Sequence, residues 1–155
     1  MAEERHTFGS WDPAVAADFI GDWEGCRLRA YVCPAGVLTI GYGHTVGVEP
    51  NDEITQTEAD KILREDIAGV QRALAPYVNV RVSRGQFVAL VSLAFNVGVG
   101  YVTTKCPKLM RALNAEDWDE CAFQFLDITK AAGVELPGLV MRRKEEAALF
   151  LEGSA

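Results

Sequence analysis

Glu24, Cys33 and Thr39 are the residues whose types and spacing could do chemistry together. A carboxylic acid can give or take a proton, a thiol can act as nucleophile or polarizable anion, and a hydroxyl can hold a water. Eight residues separate Glu24 from Cys33 and five separate Cys33 from Thr39, with Pro34-Ala35-Gly36 as a turn between them. Glu24 ends an apolar-faced helical pattern just after Trp23. A carboxyl partly desolvated against aromatic surface has its protonated form favoured, which is what a general acid needs near neutral pH. Each residue also has a plain reading: a solvated Glu at a helix end, a small buried hydrophobe at Cys33, a β-branched strand residue at Thr39. The stretch Thr39-Ile-Gly-Tyr42-Gly-His44-Thr45 closes the segment on a glycine-spaced turn and adds two more polar candidates.

The elements that must position these groups follow from capping signals and periodicity. Asp12 reads as an N-cap with Pro13 at the first helical position, and Val15, Phe19 and Trp23 recur at four-residue spacing as a buried face. Residues 28–33 and 37–42 read as short strands, and 46–54 as a turn-rich loop. Thr55-Gln-Thr-Glu58 is a capping box opening a helix carried to about Tyr77, with Ile62, Leu63, Ile67, Val70 and Leu74 as its stripe. Ser83-Arg-Gly-Gln86 opens another, with Phe87, Leu90, Val91, Ala94 and Phe95 apolar, ending at Asn96-Val-Gly-Val-Gly100 where glycines suit positive φ. Further helices are expected from Pro107 to Leu113, after Asp117 (Trp118, Cys121, Ala122, Phe125), and after Pro137-Gly138 (Val140, Ala147, Leu149, Phe150). The expectation is an α+β fold, mainly helical, in a single domain over 1–155: a small β-containing lobe at about 12–54, a connecting helix at about 55–77, and a helical lobe at about 80–152.

Composition narrows the function. Apolar residues make up 49% and charged residues 24%, ordinary for a globular chain. No run approaches the roughly 18–20 apolar residues of a membrane span. The formal net charge of −7 argues against a nucleic-acid partner and gives no attraction to anionic membranes or walls. The N-terminal Met1-Ala-Glu-Glu-Arg-His-Thr-Phe8 is acidic and polar, unlike a secretory signal, so export takes another route or the chain is a trimmed domain. Cys26, Cys33, Cys106 and Cys121 form no C-x-x-C pair, so reduced thiols are the default, with a Cys106–Cys121 bridge open in an oxidising compartment. No His/Cys spacing suggests a metal, and no cofactor is expected.

Taken in order, Glu24, Cys33, the Thr39–Thr45 stretch, the Ile54-Thr55 and Glu58-Ala59 helix start, Phe95-Asn-Val-Gly98, and Pro137-Gly-Leu-Val-Met-Arg-Arg143 with Glu146 resemble the phage-type lysozymes, or endolysins, of glycoside hydrolase family 24. The resemblance covers residues from about 12 to 152. It implies a lysozyme-like fold with a cleft between the lobes. It implies a muramidase acting on the β-1,4 bond between N-acetylmuramic acid and N-acetylglucosamine of peptidoglycan. Glu24 then matches the general acid and Thr39 the residue that positions the attacking water. Cys33 stands where relatives have Asp or Cys, as a weak base or a polarizable stabiliser of an oxocarbenium-like state. His44 matches a structural position near the cleft floor, Arg142 an arginine paired with the acid, and Asn96 an amide that contacts the glycan, or a helix cap. Of the adjacent arginines, Arg142 and Arg143, one is expected to be exposed. Tyr42 and Tyr31 fit either sugar subsites or small-lobe core.

Relatives often carry Trp where this chain has Leu38 and Ile128, and many are basic, which bears on wall binding more than on the reaction. The implied setting is a monomeric phage or prophage enzyme, held in the bacterial cytoplasm until release to the wall. Two rivals stand beside it. One is a non-catalytic glycan- or partner-binding module that keeps the fold. The other makes Cys33 a nucleophile with His44 as its base.

Overall fold

Strand β1 (Arg5–Thr7) opens the part of the chain that this computed structural model describes, residues 4–152. The first three residues of the stretch weighed as a leader lie outside it. A 3-10 turn at Phe8–Ser10 buries Phe8 against Phe87, with ring centroids 5.1 Å apart. Trp11 stacks on Phe87 and donates its indole N–H to the Val82 carbonyl at 3.0 Å. Asp12 caps as expected, accepting from the Ala14 N–H, but the first turn, Pro13–Ala16, is 3-10 before α1 (Ala17–Glu24) takes over. The inward face of this segment is Ala16 and Ile20, and Val15, Phe19 and Trp23 are only partly buried. Beside that face α1 runs close to the hairpin, and a Cβ on Gly21 would lie 3.2 Å from the Tyr42 ring.

Gly25, at φ 68°, ends α1 and turns the chain into β2 (Arg27–Val32), which pairs antiparallel with β3 (Leu38–Gly41). The register slips between Arg27 and Tyr31. Part of the expected loop also joins this hairpin, since Ala30 N–H bonds Asp52 O and Ile54 N–H bonds Leu28 O. The Thr55–Glu58 capping box forms and opens α2 (Gln56–Leu74). This helix buries Ala59, Leu63, Ile67, Gln71 and Leu74, and turns its charged residues outward. A 3-10 turn, Ala75–Tyr77, follows it.

Strand β4 (Arg81–Ser83) pairs with β1, tying the N-terminus to the helical lobe. The Ser83–Gln86 capping box then starts α3 (Arg84–Val97), in which every residue from Gly85 to Ala94 is buried. An apolar helix buried all round is the centre of a lobe rather than one of its walls. Gly98, at φ 96°, ends it, and the chain bends by 101° into α4 (Val99–Lys105), a helix for which the sequence gives no signal. Gly100 lies within α4 rather than in a left-handed cap. Helices α5 (Pro107–Asn114) and α6 (Trp118–Phe125, capped by Asp117) precede a minimal hairpin of β5 (Lys130–Ala131) and β6 (Val134–Glu135). The last described element is α7 (Pro137–Glu152). It crosses α3 so closely at Gly85 that the Leu149 carbonyl occupies the space where a Cβ would stand. A small hairpin lobe and a larger helical lobe thus meet along α2, and no single helix among the described residues is long and apolar enough to cross a membrane.

Candidate active site

Glu24 is the last residue of α1 and stands where the two lobes meet. Its Oε1 accepts a hydrogen bond from Arg142 Nη1 at 2.8 Å, a contact spanning 118 positions of chain. Gly43, at the end of the hairpin, faces the other oxygen: a Cβ there would come 3.4 Å from Oε2. The Glu24 side chain is 21% exposed and that of Arg142 5%, so the acid reaches solvent while its cation does not.

Behind this pair lies a buried set of charges. Arg142 donates from Nε to Glu146 Oε2 at 3.3 Å and from Nη2 to Ser92 Oγ and O at 3.2 and 3.3 Å. Ser92 Oγ donates to Glu146 Oε2 at 2.5 Å. Arg143 faces the same carboxylate, Nε to Oε1 at 2.7 Å, and its Nη2 donates to Asn96 Oδ1 at 2.8 Å. The expectation that one of the adjacent arginines is exposed fails, because both are buried. The cause is a shared anion: Glu146 lies one helical turn on, and Ser92 and Asn96, four residues apart on α3, complete the polar shell. Burial pushes the Glu146 carboxyl up and the Arg143 guanidinium down, each opposed by the other's charge.

Cys33 and Thr39 form a second group at the far end of β3. Cys33 N–H bonds Val37 O at 2.9 Å and Gly36 N–H bonds Cys33 O at 2.8 Å, closing a tight turn. The Val37 backbone N–H holds the thiol below its ordinary value, burial opposes this, and the Ala35 N–H and Thr39 hydroxyl assist. Thr39 is 3% exposed, and its hydroxyl donates to the Val37 carbonyl at 2.9 Å. Cys33 is the more accessible of the two.

His44 lies between these groups. Its Nδ1 is 2.7 Å from Asp66 Oδ2 on α2, and Nε2 is 3.0 Å from Val46 O. With both nitrogens engaged, His44 ties the hairpin to the connecting helix. His44, Thr45 and Val46 face Phe95 and Val99 across a cavity of about 400 Å³. Tyr42 stands apart: its ring rests on Gly21, its hydroxyl donates to Asp60 Oδ1 at 3.1 Å, and it accepts from Gln56 Nε2 at 3.0 Å. Tyr31 carries the Arg27 guanidinium over its ring at 4.3 Å.

The structure therefore joins Glu24, Arg142 and Asn96 in one network and Cys33 with Thr39 in another. Asn96 reaches it through Arg143, with its oxygen turned inward. Sequence reasoning left out Ser92 and Asp66 and gave Glu146 no role. Ser92 carried a signal, a lone hydroxyl within an apolar run, whereas Asp66 had none to set it apart from the other charges on α2. All four cysteines are free thiols. Among the described residues, no group of three or more His, Cys, Asp or Glu is placed to hold a metal.

The profile of the family described as Phage lysozyme matches residues 21–146. The endolysin of Acyrthosiphon pisum secondary endosymbiont phage 1 is 42% identical over 132 residues, 83% of this chain and 89% of that protein. The crystal structure of the active form of the P1 phage endolysin Lyz aligns at a TM-score of 0.80 and 28% identity, over 91% of this chain and 85% of that one. The muramidase domain of SpmX from Asticaccaulis excentricus aligns at 0.79 and 31% identity, over 88% and 94%.

Proposed function

The chain belongs to the phage lysozyme family, and from that membership we propose that it is a muramidase cleaving the β-1,4 bond between N-acetylmuramic acid and N-acetylglucosamine in bacterial peptidoglycan, with Glu24 as general acid. The observation that carries this reading is the setting of Glu24 at the lobe junction. One oxygen is held by a buried arginine, and the other is turned toward the hairpin end beside Gly43. A carboxyl fixed through one oxygen can present the other along a constant direction, which is what proton transfer to a glycosidic oxygen requires.

In this scheme Glu24 gives its proton to the leaving oxygen as the glycosidic bond breaks, and positive charge builds on the anomeric carbon. Water attacks that carbon from the side of Thr39 and Cys33, and its proton passes to the thiolate of Cys33. The amide groups aimed at the sulfur raise the share of thiolate, so Cys33 does part of the work of an anionic Asp. Attack from the face opposite the leaving group gives inversion. His44 and Tyr42 hold the hairpin in place. The enzyme acts as a monomeric, single-domain phage or prophage endolysin, released from the host cytoplasm to the wall.

The net charge of −7 favours a second reading, a module that binds glycan or a partner without turnover. One experiment separates the two: new reducing ends from purified peptidoglycan, measured for wild type and Glu24→Gln. We expect wild type to digest the wall and the variant to lose about 100-fold or more of the rate. Binding without reducing ends from either protein selects the second reading.

A further inference from the structure

Arginine has a long, flexible side chain, so the direction of its charge is set by whatever holds its far end. In this structure Arg142 touches Glu24 through Nη1 alone, and Nε and Nη2 are turned into the helical lobe. The groups that take them, Ser92 and Glu146, are both wholly buried, on α3 and α7. Glu146 serves both arginines: Oε1 lies against Arg143 Nε, while Oε2 collects Arg142 Nε, Arg143 Nη2 and the Ser92 hydroxyl. We infer that Ser92 and Glu146 are positioning residues for the general acid, holding the Arg142 guanidinium so that a single edge of it meets Glu24. The inference rests on Glu24 being that acid.

Charge placement supports the assignment. Arg142 and Arg143 are adjacent cations, and the Glu146 carboxylate lies against both. Without its carboxylate, Arg142 and Arg143 compete for Glu24 and for the Asn96 oxygen, and neither keeps a fixed direction. Without the Ser92 hydroxyl, Oε2 loses its shortest bond and Arg142 Nη2 is left with the Ser92 carbonyl alone. Around Arg142 itself, Nε, Nη1 and Nη2 each have an acceptor, and a buried donor held that way keeps one direction.

The test compares wild type, Ser92→Ala, Glu146→Gln and Glu24→Gln. The first readout is the carbon-13 chemical shift of the Glu24 side-chain carboxyl at fixed pH, with Glu24→Gln identifying the signal. The second is kcat and KM on soluble glycan fragments, below each variant's melting temperature. Ser92→Ala places a good helix former at a buried helical site and is expected to fold. Its Glu24 signal should move from the wild-type position, because the guanidinium edge that meets Glu24 is no longer held in one direction. Its kcat should fall about tenfold with KM within twofold, the mark of a misdirected group rather than a damaged cleft. Glu146→Gln should show the same changes more strongly, and if it does not fold, Ser92→Ala decides. A folded Ser92→Ala with an unmoved Glu24 signal and kcat within twofold overturns the inference. The chemical shift needs no turnover, so a wild type that cleaves no glycan sinks the proposed reaction while NMR still decides the positioning.

Discussion

At Cys33 a short turn aims backbone N–H groups at a sulfur, and the chemistry follows from that geometry. A thiol held below its ordinary value carries more thiolate at any given pH, so its alkylation should persist to lower pH than that of an ordinary cysteine. Cys121 is the internal contrast, because burial pushes its thiol up to about 12. Iodoacetamide labelling of the native protein, mapped by mass spectrometry across pH, should therefore mark Cys33 and leave Cys121 unmodified until the chain unfolds. Equal labelling of the two, or a Cys33 profile no lower than that of a free thiol, refutes the picture. Cys33→Asp should keep lytic activity, and a Cys33→Ala variant that also keeps most of it would reduce Cys33 to packing. Glu24, Cys33 and Thr39 stand out in the sequence because their spacing is local and their types are chemical. It hid the burial of Arg143, because a buried arginine is betrayed only by its anion, and Glu146 reads as one acid among many on an apparently solvated helix.

Among the elements, α3 and α7 make the tightest crossing, and Gly85 permits it. The Leu149 carbonyl that fills the space beside Gly85 is backbone, so it cannot swing away from an added methyl group. Gly85→Ala is expected to lower unfolding free energy by about 1–3 kcal/mol, measured by urea denaturation, despite the better helix propensity of alanine. A variant as stable as wild type would show that the helices separate at little cost. Both capping boxes were legible in the sequence, since the groups that exchange bonds are three residues apart. The pairing of β1 with β4 was not, because three-residue strands have no period and the partners lie far apart in the chain, Arg5 opposite Ser83 and Thr7 opposite Arg81. Helix α4 was hidden for a related reason: seven residues that include Gly100, Thr103 and Thr104 offer no apolar stripe.

For the molecule as a whole, charge is the unusual property. With a net charge of −7, the protein is repelled by an anionic wall at low ionic strength. Salt shortens that repulsion to about 8–10 Å at physiological strength. Lysis of intact wall preparations should therefore rise with added sodium chloride toward ~0.15 M, whereas hydrolysis of short uncharged glycan fragments should stay flat. Turbidity and reducing-end assays over a salt series check both. A fall in lysis from the lowest salt upward would point instead to a local cationic face that governs wall contact. The two-lobed layout was readable from the order of a short hairpin, a long capped helix and an apolar run. The shape of the junction was not, since it depends on contacts such as His44 with Asp66 that join separate elements.

The bond from Arg142 to Glu24 also has a meaning in time. A ribosome makes Glu24 earlier than Arg142, by 118 residues. Until α7 has emerged and docked, Glu24 Oε1 lacks its arginine and α3 lacks the backbone that packs against Gly85. Synthesis thus separates the carboxylate from the cation that holds it, and only the docking of α7 brings them together.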